Sequence, residues 1–160
     1  MPDTVTSGLR RRVARRAALV RQRTRAKNEV HATLARCLLG RAPVSDLFGK
    51  EGRAWLSGQQ LGEEAAETVA GCLRQIDFLD GEVAQIDQKL AQGAAGSKDA
   101  HRLMSIPGVG AGVAVTLMAA IGEISRFSSP RQLVAYFGLD PKVRQSGDEP
   151  PRHGRDLKAR

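Results

Sequence analysis

Between Ala65 and Leu90 the apolar residues Ala65, Val69, Cys72, Ile76, Leu79, Val83, Ile86 and Leu90 follow one another at alternating intervals of four and three without a break. That spacing holds one apolar seam on one side of a helix for about four heptads. A strand would throw successive side chains to opposite faces and scatter the seam. Glu63–Gln92 is therefore expected to form a long helix that must pair with another. Gly71 and Gly81 lie inside it, each weakening it by about 1 kcal/mol relative to Ala. Glu63, Glu64 and Glu67 stand in its first turns, where the helix dipole favours acids.

The chain offers a partner for that seam. Gly8–Leu39 has no Pro, and is rich in Ala, Arg and Leu. Leu9, Val13, Ala17, Val20, Thr24, Leu34 and Leu38 are read as one stripe, with His31 on it, and Gly40 and Pro43 supply stop chemistry. Residues 1–40 carry a net charge of +8 and residues 62–93 a net charge of −5, so the two helices attract. An antiparallel hairpin is the simplest packing. A short helix near Gly49–Leu56 joins them, with Leu47, Phe48 and Trp55 plugging the junction. The same Ala65–Leu90 seam is expected to pair copies of the chain into a homo-oligomer. Aromatics are only 4% of residues, which favours helices over a β-sandwich.

Charge and cysteines narrow the function. The formal net charge is +8, and Arg outnumbers Lys by 19 to 6. Arg forks suit bidentate contact with phosphate. Nine cations fall within residues 10–27, Arg10, Arg11, Arg12, Arg15 and Arg16 leading the run, which points to nucleic acid. Cys37 and Cys72 are too few for a disulfide scaffold and match no zinc-site spacing. His31, His101 and His153 stand far apart, so no metal site is expected. Residues 1–18 hold no apolar signal-peptide core, which makes a cytoplasmic setting the expectation.

Residues 103–122 hold no charge, but Pro107, Gly108, Gly110 and Gly112 interrupt them and leave about half a membrane span, so no membrane is expected. The run reads instead as a short helix, a Pro107-Gly108-Val109-Gly110 turn and a second helix, the helix–hairpin–helix pattern. Pro107 ends the first helix, and Gly108 and Gly110 are expected to adopt positive φ. Amides at the start of the second helix would then face a phosphate and grip DNA without reading sequence. Gly93-Ala-Ala-Gly-Ser97 marks a boundary. The expected domains are 1–96, the basic helix and coiled coil, and 97–160, the helix–hairpin–helix domain. The fold class is all-α: a long helical hairpin followed by a small helical domain.

Three runs carry a family resemblance: Ile106-Pro-Gly-Val-Gly110, Phe127-Ser-Ser-Pro-Arg-Gln-Leu-Val-Ala-Tyr136-Phe-Gly138-Leu-Asp-Pro141, and Gln145-Ser146-Gly147. Their order and spacing resemble the C-terminal domain of insertion-sequence transposases of the 110/116/902 family. Leu9 through Leu34 resembles the segment before that family's coiled coil. The resemblance implies DNA cut and rejoined by a Mg²⁺-dependent nuclease domain of ribonuclease-H type together with a serine nucleophile, guided in several members by a bridging RNA. The serine corresponds to Ser146, and Lys142, Arg144, Arg152 and Arg155 would help neutralise the phosphate. Tyr136 and Phe137 are expected to pack beneath the Ser146 loop. The family's metal carboxylates have no counterpart here, since Asp77, Asp80 and Asp87 read as a solvated helix flank. The chain is thus expected to be truncated at both ends, without a cofactor of its own and inactive alone. Two other readings compete: a non-catalytic nucleic-acid-binding module, and a coiled-coil oligomerisation protein.

Overall fold

The computed structural model of the chain describes residues 4–40, 42–139, 142–144 and 152–154. Its elements are α1 (Thr4–Arg36), α2 (Lys50–Ser57), α3 (Glu63–Ala95), α4 (Lys98–Met104), α5 (Ala111–Ile121), a 3-10 turn (Ile124–Arg126), α6 (Pro130–Tyr136), β1 (Lys142–Arg144) and β2 (Arg152–Gly154). Helices carry the fold, as the sequence indicates. The two three-residue strands pair antiparallel, with Val143 opposite His153. The chain divides into two compact units, one ending at Ala119 and the other beginning at Ala120.

In the first unit α1 and α3 form the expected antiparallel hairpin. Leu19 meets Leu79 and Val83. Val30 and Leu34 meet Val69 nearer the other end. Every seam position from Ala65 to Leu90 is buried or half-buried, Ile76 being 1% exposed. A fully buried aliphatic side chain of this kind contributes about 1.5–3 kcal/mol. The seam expected to join copies of the chain is filled by α1 of the same chain. Ion pairs flank it. Arg16 donates to both oxygens of Asp87, Arg23 to Asp80, and Arg15 lies 3.7 Å from Glu82. These pairs are half-exposed, worth about 0.2–1 kcal/mol each. The apolar seam therefore dominates the energetics, while the charges favour the antiparallel orientation.

The α1 stripe differs from the sequence reading. Leu19, Ala26, Val30, Thr33 and Leu34 are buried, whereas Thr24 is exposed and Leu38 is 93% exposed. Leu9 and Val13 pack instead on a second cluster, formed by Leu90, Ala94, Ala100, Ala114 and Val115. One helix thus serves two partners at two angular positions, which a single stripe cannot describe. That cluster also joins the end of α3 to α4 and α5 across the Gly93–Ser97 stretch, through which α3 continues as far as Ala95. Thr33, 2% exposed, accepts from Arg36 Nη2 at 2.9 Å.

At the opposite end Leu47, Leu56, Phe48 and Trp55 plug the junction as anticipated. Gly52 in α2 is buried there. A Cβ on it would come 2.3 Å from the Leu47 carbonyl oxygen, so only glycine fits. The expected Gly40 stop is not used. α1 ends at Arg36, and Leu38 adopts φ 55°. Leu38 N–H donates to Ala35 O at 3.0 Å and Leu39 N–H to Leu34 O at 3.2 Å, the paired bonds of a Schellman cap. α6 ends in the same way. Gly138 takes φ 68°, its N–H donates to Ala135 O at 2.9 Å, and Leu139 N–H donates to Val134 O at 3.1 Å.

Candidate nucleic-acid interface

The turn between α4 and α5 is built locally. Ser97 caps α4 by accepting from the Ala100 amide at 3.3 Å. After Met104 the chain reverses through Ile106-Pro107-Gly108-Val109, where Val109 N–H donates to Ile106 O at 3.0 Å. Pro107 at the second position and Gly108 at φ 86° in the third make this a type II turn. Gly110 is not at positive φ, contrary to the expectation. It opens α5, its carbonyl accepting from Ala114 N–H at 2.9 Å. Val109 is half-buried against the Leu90–Val115 cluster and anchors the turn, while Pro107, Gly108 and Gly110 face solvent. A Cβ on Gly108, Gly110 or Gly112 would meet nothing within 4 Å, so the backbone here is open to approach. The first amides of α5 have no acceptor within their own helix, as at any helix start.

The arginine run divides by partner. Arg10 Nε donates to the Ala119 carbonyl at 2.6 Å, tying the start of α1 to α5. Arg16 is held by Asp87, and that hydrogen bond raises its pKa. Arg11, Arg12, Arg21 and Arg25 are exposed and form no ion pair with any described residue. Complementary charge on the two helices was the signal for these pairings, but sequence alone did not say which arginines they would take.

Asp77 and Asp80 are exposed and Asp87 is half-buried, in keeping with the solvated helix flank expected. Each faces an arginine: Arg53, Arg23 and Arg16 respectively. The Arg53 guanidinium, bonded to both oxygens of Asp77, holds that carboxyl below the usual carboxylate range. Carboxylates so engaged do not fit a divalent cation. Among the described residues no group of three His, Cys, Asp or Glu side chains converges on a common point.

Lys142 and Arg144 lie in β1, and Ser146 lies outside the described residues. Tyr136 is 51% exposed and meets Phe127 and Phe137 edge-on, each with ring centroids 5.5 Å apart, while the Arg126 guanidinium lies 4.6 Å from its ring centre. His31 is exposed and packs edge-on against Phe48. His101 Nε2 is 3.1 Å from Ala95 O. Burial raises the pKa of the half-buried Cys72 thiol, whereas Cys37 is exposed. No helix among the described residues is long and apolar enough to cross a membrane.

Comparison with known proteins gives this arrangement a context. Residues 100–158 match the Transposase IS116/IS110/IS902 family. The transposase for insertion sequence element IS1111A of Coxiella burnetii is 31% identical over 136 residues, covering 84% of this chain and 37% of the relative. The transposase for insertion sequence element IS1328 of Yersinia enterocolitica is 26% identical over 132 residues, covering 82% of this chain and 39% of the relative. The chain therefore spans less than half the length of these relatives. No solved structure matches. With the family match over its C-terminal part and transposases aligned along most of its length, the chain belongs to the IS116/IS110/IS902 transposase family.

Proposed function

We propose that this chain is a DNA-binding part of an insertion-sequence transposase and acts in DNA transposition. The observation that carries this reading is the alignment with transposases over 84% of the chain. The chemistry of the residues agrees with it. Pro107, Gly108, Val109 and Gly110 set a bare backbone at the start of α5, suited to a phosphate. Of the basic residues the sequence singles out, Arg11, Arg12, Arg15, Lys142 and Arg144 supply the cations, and phosphate contacts of this kind bind DNA with little sequence preference. The setting is the cytoplasm, where chromosomal DNA is within reach.

Ser146 is assigned the family's nucleophile position on the Gln145-Ser146-Gly147 match. Its hydroxyl oxygen would attack phosphorus as the bond to the departing strand breaks, leaving a serine phosphodiester that keeps the bond for rejoining. A hydroxyl is a weak nucleophile without a base or metal beside it. The carboxylates that would hold Mg²⁺ are not found among the described residues, so cleavage is assigned to this chain only together with the family's nuclease domain.

Two measurements test the proposal. Gly108→Ala, strained by about 1–2 kcal/mol at its left-handed φ, should weaken binding to a mixed-sequence DNA duplex while the helical circular dichroism stays. Incubation of the chain with Mg²⁺ and insertion-sequence-end DNA should give no covalent adduct. Adding the nuclease domain of an intact relative should give one, which Ser146→Ala removes. An adduct that survives Ser146→Ala overturns the serine assignment, and a chain that binds no DNA overturns the proposal.

A further inference from the structure

Beside the α1–α3 seam lies a groove of about 480 Å³, lined by Gly8, Arg11, Arg12 and Arg15 from α1 and by Glu82 and Lys89 from α3. Four cations face one acid. Arg11 and Arg12 are exposed and have no ion-pair partner among the described residues, and Lys89 on the opposite wall is exposed as well. Arg15 is only loosely held: it lies 3.7 Å from Glu82, and its side chain is 65% exposed. Gly8 carries no side chain into the groove, and a Cβ there would meet nothing within 4 Å. Packing therefore does not require glycine at this position, and its effect is to leave the groove open at that end. Arg11 and Arg15 are one helical turn apart, about 6 Å along the axis, and Lys89 lines the same groove from α3.

We propose that this inter-helix groove is a seat for the sugar–phosphate backbone of duplex DNA, built from Arg11, Arg12, Arg15 and Lys89. The proposal rests on the DNA-binding reading above and refines it. Arg10 and Arg16 drop out as phosphate ligands, because the Ala119 carbonyl and Asp87 already hold them. Lys89, in the acidic helix, comes in. Glu82 acts against the ligand, and Arg15, 3.7 Å away, partly offsets it.

The test measures fluorescence anisotropy of a labelled mixed-sequence DNA duplex, and of a single-stranded RNA of equal length, with the full chain across a salt series. The variant Arg11→Gln, Arg12→Gln, Lys89→Gln is compared with Arg21→Gln, Arg25→Gln, Arg74→Gln, which removes the same charge elsewhere. The groove variant should lose at least about tenfold in duplex affinity, and its log–log salt slope should fall by about 2–3 at roughly 0.9 per phosphate. The comparison variant should lose less than about threefold, as expected of charges that act only through the general field. Glu82→Gln should tighten binding by a few fold, as loss of a like-sign repulsion predicts. Equal losses from both triple variants overturn the groove while leaving DNA binding intact. Loss confined to RNA overturns the duplex assignment. Absence of binding by the unaltered chain removes the groove and the DNA reading together.

Discussion

The α1–α3 hairpin and the stretch from Ala120 to Leu139 solve the same problem in opposite ways. The hairpin buries Leu19, Val30, Ile76, Leu79, Val83 and Leu90 and leaves its charges at the margins. In the later stretch the 3-10 turn and α6 bury no residue at all, and Ile124, Val134, Tyr136 and Leu139 are exposed. What order α6 has comes from local devices. Ser129 accepts from Gln132 N–H at 3.4 Å, Pro130 stands at its first turn, Gly138 closes it, and Tyr136 meets two aromatic neighbours. Side-chain burial is worth kilocalories and a cap about one. Among the described residues the hairpin is therefore the larger stability reservoir, whereas α6 is held by small terms.

The sharpest way to break that contrast is to charge the seam. Ile76→Asp with Val83→Asp should cost several kcal/mol, because each buries a carboxylate without a partner, and helical circular dichroism should collapse on mild heating. Val134→Asp in α6, where the side chain is 41% exposed, should move the melting temperature almost not at all. Equal effects would mean that the later stretch carries more of the fold than its exposure indicates. Gly52→Ala should come next, at about 1–3 kcal/mol by overpacking against the Leu47 carbonyl, read from urea denaturation.

Leu38→Gly should have the opposite sign. Both Schellman caps need a left-handed residue, and Leu38 supplies it at φ 55° where α6 uses Gly138. Removing the Cβ should stabilise the hairpin by about 1 kcal/mol, seen as a higher melting temperature. An unchanged or lower value would show that the exposed leucine has a compensating contact.

The smallest effect concerns pH. Asp77 has its pKa lowered by Arg53, so the pair's contribution is present above the ordinary carboxylate pKa and is lost as pH falls through the lower, folded value. Both groups are substantially exposed, which limits the pair to about 0.2–1 kcal/mol. The melting-temperature gap between the unaltered chain and Asp77→Asn should hold from pH 5 to 8 and close in strong acid. A gap that widens in acid would contradict the assignment.

Much of the hairpin is legible in the residues themselves. The four-three spacing on α3 needs no tertiary knowledge, and opposite charges on the two helices imply their pairing. The plug of Leu47, Phe48 and Trp55 follows from large apolar residues in a connection too short to form its own core. The face of α1 was not legible, because Leu9 and Val13 turn toward α4 and α5 while Leu19 and Val30 turn toward α3. Nor was its end, since a leucine fills a position where Gly40 was the obvious stop. At the candidate interface Pro107 and Gly108 announced the turn. The division of the arginines did not show, because nothing in Arg10 or Arg16 as residues distinguishes them from Arg11 and Arg12. Only the fold brings Ala119 and Asp87 alongside.

In the proposed function the basic surface left over after folding binds DNA through its phosphates. The direct measurement is the affinity of the unaltered chain for a mixed-sequence duplex between about 50 and 200 mM salt, the range over which phosphate-driven binding weakens steeply. The account predicts a linear log–log fall with a slope near −0.9 for each phosphate engaged, and the same slope on an unrelated duplex. Binding that stays flat across that range, or that exists for one sequence alone, would contradict it.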